Sequence, residues 1–336
     1  MRPKIIRNYP GETPVFSRGN RPFILDADHL VLSGIRFENR KSLVVGYETG
    51  VGVRAYNNVF RGAIEYDAID THGRDIILAG NHCEVTGSTQ GTQGHCYYIS
   101  NGGDIQLRYN VARGAPGYGI HIFDQRRSAN DYKRTITNVL VEGNLLTGST
   151  QRSGLIVAMG DEAGLGNHID GVTIRNNLFV ANNFAGIALG GNTRNVRIHH
   201  NTFYRNGRQG ITLYNDASLA GVQIHNNLID QTANAHCTSN CSWYQTAHIE
   251  RGAEALNVGA SNNFYAPAPP VLLGLIDSAP RAGVAEFVDG VNGDFHLKSG
   301  SQAVDMGLVS ATSPSDFDGR ARPVGVLPDA GAFEYR

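Results

Sequence analysis

Val172-Thr-Ile-Arg-Asn-Asn177, Val196-Arg-Ile-His-His-Asn201 and Val222-Gln-Ile-His-Asn-Asn227 are three copies of one template, and that template decides the fold. Apolar residues stand five and three positions before a final Asn, the period-2 alternation of a strand with one buried face. Val53-Arg-Ala-Tyr-Asn-Asn58, Ile76-Ile-Leu-Ala-Gly-Asn81, Ile105-Gln-Leu-Arg-Tyr-Asn110 and Val139-Leu-Val-Glu-Gly-Asn144 obey the same rule. Two positions beyond each Asn comes a second apolar column, Phe60, Cys83, Ala112, Leu146, Phe179, Phe203 and Ile229. With Asn263 continuing the series, successive Asn are 23, 29, 34, 33, 24, 26 and 36 residues apart, so the short coils are bare and the long ones carry loops. Self-similarity at such a period marks a solenoid. A leucine-rich repeat needs a Leu-dominated pattern, and propeller blades are longer, near 40 residues. The expectation is an all-β, single-stranded right-handed parallel β-helix of about nine or ten coils. The recurring Asn is expected at a tight bend, in left-handed backbone, with its amide bonded to the next Asn along the stack.

Each coil holds another strand: Asp67-Ala-Ile-Asp-Thr-His72, His95-Cys-Tyr-Tyr-Ile-Ser100, Tyr118-Gly-Ile-His-Ile-Phe123, Ser153-Gly-Leu-Ile-Val-Ala158, Ala185-Gly-Ile-Ala-Leu-Gly190 and Gln209-Gly-Ile-Thr-Leu-Tyr214. Their third and fifth residues are expected to face the core. The fourth and sixth then form outward columns: Asp70, Tyr98, His121, Ile156, Ala188, Thr212, and beside it His72, Ser100, Phe123, Ala158, Gly190, Tyr214. A further polar column, Arg108, Glu142, Arg175, His199 and His225, reads as solvated surface.

The 336 residues include 29 Lys and Arg against 30 Asp and Glu, a net charge of -1 that provides no global field for nucleic acid. No run of eighteen apolar residues exists to insert in a membrane, and Met1-Arg2-Pro3-Lys4-Ile5-Ile6 lacks a signal-peptide core. Four cysteines are too few for a disulfide scaffold; Cys237 and Cys241 either close a small loop or stay unpaired. A monomer is expected. Residues 1–290 read as the solenoid and 291–336 as a capping segment packed on the last coils. Because Pro3 to Glu12 already reads as coil sequence, the N-terminal cap is expected to be missing.

The rungs and the tail, Asp316-Phe-Asp-Gly-Arg-Ala-Arg-Pro323 and Asp329-Ala-Gly-Ala-Phe-Glu-Tyr335, resemble bacterial extracellular parallel β-helix proteins of the pectate-lyase-like superfamily, which includes polysaccharide lyases, alginate lyases and mannuronan C5-epimerases. The resemblance implies an extracellular, cell-surface or periplasmic location and a polysaccharide substrate. Asp67-Ala-Ile-Asp-Thr-His72 is similar to the epimerase motif Tyr-Gly-Phe-Asp-Pro-His, which implies catalytic roles for Asp70 and His72; Asp67 and Thr71 depart from the motif's Tyr and Pro.

Chemistry on a solenoid must use outward side chains. Asp70, His72, His95, Tyr98, Ser100 and His121 cluster on three consecutive coils, and the two longest insertions follow this strand at Asp124–Arg134 and Gly160–Asp170. Removing the proton beside a uronate carboxylate needs charge neutralisation, a base and an acid. Arg126, Arg127 or Arg134, or a Ca²⁺ held by Asp70 and Asp124, are candidates for the first; His95, His121 or His72 for the second; Tyr98 for the third. Hydrolysis would instead pair Asp70 with Asp124 or Asp161. Tyr214 and Trp243 are candidates for stacking on sugar rings. Asp316 and Asp318 read as turn residues rather than calcium ligands. The expected activity is lysis or C5-epimerisation of an acidic polysaccharide, with a glycoside hydrolase or a non-catalytic glycan-binding solenoid as alternatives.

Overall fold

A computed structural model describes residues 3–17, 23–38, 43–46, 50–88, 91–125, 135–160, 166–230, 247–309 and 313–336, with the side chains of residues 124 and 125 outside that description. The chain winds into three parallel sheets of ten, eleven and ten strands, each strand pairing with its equivalent in the next coil. The first sheet holds the repeat template, as in Val53's neighbour strand Arg54–Tyr56 and in Thr193–His199; the second follows the Asn; the third carries the strands Asp67–Thr71, His95–Ile99 and Ile120–Gln125. Among the described residues, no helix is long and apolar enough to cross a membrane.

Strict register stacks like on like. Leu32, Ala55, Leu78, Leu107, Val141, Ile174, Ile198 and Ile224 form one fully buried column of the first sheet. In the second sheet Phe37 stacks on Phe60, and Phe179 on Phe203, each with ring centres 4.9 Å apart. That distance is the spacing of neighbouring strands, so the backbone ladder itself sets the rings face to face.

The Asn side chains form the expected ladder. Each amide nitrogen from Asn58 through Asn81, Asn110, Asn144, Asn177, Asn201 and Asn227 to Asn263 donates to the next Asn at 2.9–3.0 Å. The series ends on buried Asp277, which accepts from Asn263 at 2.8 Å and from the Tyr265 hydroxyl at 2.7 Å. The left-handed bend, however, falls one residue earlier than expected: Asn57, Gly80, Tyr109, Gly143, Asn176, His200, Asn226 and Asn262 have φ between 53° and 68°. Bend and ladder are separate duties. Non-Gly residues such as Tyr109 and His200 tolerate the strained position because the rungs on both sides pin the turn.

Cys83 of the second sheet is bridged to Cys96 of the third, with Cα atoms 5.8 Å apart. The sequence reading did not pair them, because Cys83 is 13 residues from its partner and looks like an ordinary member of the apolar column.

Residues beyond Asp289 run back along the outer face of the second sheet. Phe295, Ala332 and Phe333 cover Leu178 and Tyr204, while Leu297, Ala303, Met306 and Ala330 pack with Leu228 and Phe264. The tail is tied on by Asn226, whose side chain bonds both the N–H and the carbonyl of Leu308, and by Thr202, which accepts from Ala332. Inside the tail, the Arg322 and Glu334 side chains pair at 2.7 Å with almost no exposure. Asp316 accepts from the main chain of Arg320 and Glu334, the turn role expected of it.

This docking corrects the reading of the further polar column. Glu142 is buried between Arg175, at 2.7 Å, and Arg108, at 3.3 Å. His199 and His200 are buried beneath the tail, their Nδ1 atoms 3.0 Å apart, and burial lowers the His199 pKa to about 3. Glu142 and His199 are thus buried rather than solvated, His199 beneath a segment remote in sequence, while Arg108, Arg175 and His225 stay partly exposed.

Candidate functional site

Parity along the third sheet leaves the expected columns facing away from the core. Ile69, Thr71, Tyr97, Ile99, Ile120 and Ile122 are wholly buried, while Asp70, Tyr98, His121 and Phe123 between them are partly exposed. Strand pairing then places Asp70, Tyr98 and His121 side by side on successive coils. The rings pack into a cluster: Tyr98 stacks on His121 with centres 4.8 Å apart, His95 meets His121 edge-on at 4.3 Å, and Tyr118 and Phe123 each lie 5.0 Å from His121. Tyr66, Asp67, Gln93, His95, Tyr98, His121 and Phe123 enclose a pocket of about 130 Å³.

The three candidate bases differ in environment. His95 is nearly buried, and its Nδ1 accepts the Tyr118 main-chain N–H at 2.9 Å. Burial, with a smaller push from Arg152, lowers its pKa to about 3, so the ring is neutral with its proton on Nε2. His72 is 3% exposed, its Nε2 3.0 Å from Asp70 Oδ2. Ser100 donates to Asp70 Oδ1 at 2.9 Å and stands 3.2 and 3.3 Å from the two nitrogens of His72. A hydroxyl equidistant from both ring nitrogens and donating to the carboxylate is not aligned as a nucleophile on a base. This trio is a buried bracket that holds Asp70. His121 is the imidazole at the pocket's centre, in contact with four aromatic rings.

Of the groove's other end, sequence reasoning named only Tyr214 as a candidate. Arg152, Phe184 and Arg208 occupy equivalent positions just before three successive third-sheet strands, as the bonds from Phe184 N to Arg152 O and from Arg208 N to Phe184 O show. They wall a second pocket of about 320 Å³, completed by Gln209, Thr212, Tyr214, Asn215 and Glu250. Ile156, Ala158 and Ala188 form an apolar floor with Tyr118 and Phe123 between the two pockets. The charge of Arg152 acts on both His95 and Tyr118, and Tyr214 acts on Tyr118, so the pockets adjoin. These later coils read as plain scaffold because their strand residues are small; the cationic wall comes from the turns before them.

Arg126, Arg127, Arg134, Asp161 and Trp243, and the Cys237 and Cys241 loop, lie outside the described residues, as does the Asp124 side chain. The Cα of Asp124 pairs with Met159, two coils from Asp70 and three residues beyond His121. Both oxygens of Asp70 are already engaged, and among the described residues no three His, Cys, Asp or Glu side chains gather as a metal site. The calcium pair expected of Asp70 and Asp124 falls in part outside the described residues.

A family model described as "Right handed beta helix region" matches residues 137–251. No curated protein matches the sequence. Among solved structures, the chain is similar to pectate lyase Pel9A, at 14% identity over 100% of this chain and 87% of that one, with a TM-score of 0.50. It is also similar to the A-module of the Azotobacter vinelandii mannuronan C-5 epimerase AlgE4, at 13% identity over 84% and 87% of the two chains, TM-score 0.42. A mutant tailspike protein of E. coli bacteriophage HK620, in complex with pentasaccharide, is 13% identical over 80% of this chain and 47% of that one, TM-score 0.46. The protein folds as a right-handed parallel β-helix.

Proposed function

We propose that the protein binds an acidic, uronate-containing polysaccharide across the third sheet and acts on it by β-elimination or C5-epimerisation. The observation that carries this reading is the His95–Tyr98–His121 ring cluster lining one pocket, with Arg152 in the wall of a second. The similarity to a pectate lyase supports it through the fold, which hosts other chemistries as well.

In this reading Arg152 neutralises the uronate carboxylate, which makes the neighbouring C5 proton removable. His121 takes that proton. His95, neutral with its proton on Nε2, donates to the charge that develops on the carboxylate. In elimination, the C4–O bond breaks as the C4–C5 double bond forms, and Tyr98 protonates the departing oxygen. In epimerisation the C4–O bond stays intact and C5 takes back a proton from solvent on its opposite face, since Tyr98 stacks on His121 on the same side. Asp70, held by His72 and Ser100, borders the cluster and orients sugar hydroxyls.

We place the protein outside the reducing cytosol, because the Cys83–Cys96 bridge suits an oxidising compartment. Incubation with pectin, alginate and glycosaminoglycans, with and without Ca²⁺, tests the activity. New ultraviolet absorbance from an unsaturated uronate supports elimination, and a changed uronate ratio without cleavage supports epimerisation. Reducing ends without that absorbance would replace the reading with hydrolysis, and no change on any glycan would replace it with a binding protein.

A further inference from the structure

We infer that the pocket around Arg208 and Tyr214 is a separate anchoring subsite, which takes the carboxylate and ring of a further uronate unit on the same glycan chain. The inference rests on the proposed function and deepens it by naming where the substrate is held away from the reacting bond.

Four observations converge. Arg208 is only 7% exposed yet lines the pocket, its guanidinium 3.7 Å from the centre of the Phe184 ring. A cation held flat over a ring is already ordered, so a planar carboxylate meets it with little further loss of side-chain freedom. Tyr214 leaves 45% of its surface exposed on the same pocket, a large ring beside the space a sugar would fill. Gln209 donates to Glu250, so one carboxylate on the far side is already engaged and offers its remaining capacity to sugar hydroxyls.

Spacing separates this pocket from the reacting cluster. Thr212, in the Arg208 coil, is three strand pairings beyond His121, through Ile156 and Ala188. At about 4.8 Å per coil the two sites are roughly 14 Å apart. Between them lie the apolar floor of Ile156, Ala158 and Ala188 and, on the wall, Arg152, which serves the reacting end. A glycan that reaches both ends is therefore bound at two points, and one that occupies only the His121 end is bound at one.

The test uses the whole chain with a length series of oligogalacturonates and oligomannuronates, and neutral cello-oligosaccharides as a control, measured by calorimetry and turnover. Affinity is expected to step up once an oligomer spans both pockets. Arg208→Gln is expected to lower the affinity of the long oligomers about tenfold and leave the short ones unchanged. Because Arg208 is buried, Tyr214→Ala, at an exposed position, serves as the second variant and should show the same length-selective loss without a change in thermal midpoint. Equal binding of short and long uronates, equal binding of neutral oligomers, or a loss in the variants that is independent of length would overturn the subsite. Turnover that requires His121 but shows no length step leaves the proposed function standing and removes the subsite. A length step that requires Arg208, without turnover of any glycan, keeps the subsite and removes the enzymatic reading. No uronate binding at all overturns both.

Discussion

The Tyr118 main-chain N–H points at Nδ1 of His95 and donates to it at 2.9 Å, which leaves the neutral ring with its only proton on Nε2. A turn one coil away thus decides what a histidine on the strand can do. In the proposed reaction His95 donates and His121, within the ring cluster, is the base.

On this assignment, His121→Ala and Tyr98→Phe should each lower kcat by about a hundredfold or more. His95→Gln keeps a side-chain N–H donor and should leave the acid limb of the pH–rate profile in place. An acid limb that moves in His95→Gln would identify His95 as the titrating base.

Acid should destabilise the fold through its buried histidines. His95 and His199 are lowered to about 3 and His225 to about 4, each chiefly by burial. The unfolded chain therefore binds more protons than the native one below the ordinary histidine value. The stability these groups contribute is full above about pH 6.5 and is lost as pH falls toward 4. Asp329, raised to about 6 by burial, and His296, raised in spite of burial by Asp318 and Asp294, act in the opposite sense, against these three histidines and the likewise lowered His200, His82 and His248. Urea midpoints measured from neutral to acidic pH should fall steadily, and His199→Gln should flatten the curve. A midpoint independent of pH across this range would contradict the burial of these rings.

Asn144→Ala should be among the most damaging single changes. The Asn144 oxygen accepts from both the main chain and the amide of Asn110, and its nitrogen donates to Asn177 and to the Leu107 carbonyl. Its removal strands buried partners on two coils, at a cost of about 3 kcal/mol or more. Chemical denaturation reads the loss.

Arg322→Ala should release the tail. It leaves Glu334 charged and buried and removes bonds to the carbonyls of Asp329, Gly331 and Ala332, a cost of about 3–5 kcal/mol. Hydrogen exchange should rise first in residues 313–336 and then at His199 and His200. The paired change Arg322→Met with Glu334→Gln should be milder.

Peptide mapping without reductant should recover Cys83 joined to Cys96. Replacing both with Ala removes closure of a short loop and should cost roughly 3 kcal/mol, with a drop in thermal midpoint rather than a change of fold.

The repeat made the fold readable, because a β-helix writes its register into local sequence: the same apolar spacing recurs in every coil, and each coil needs only its neighbours. The Asn ladder, the inward columns and the outward line of Asp70, Tyr98 and His121 all follow from period-2 alternation in register. The ring cluster was legible for the same reason, since residues at one template position must be neighbours.

What depended on tertiary structure lies where the chain leaves the template. Turns of unequal length put Arg152, Phe184 and Arg208 in one wall, and no strand periodicity marks them. The tail returned over the second sheet, bonding Asn176 and Thr202 from more than a hundred residues away and burying His199 and His200. Cys83 met Cys96 across two sheets. Local alternation by itself determined which face each strand buries; only the folded chain decided which loops, turns and tail meet those faces, because such contacts form between residues that share no period.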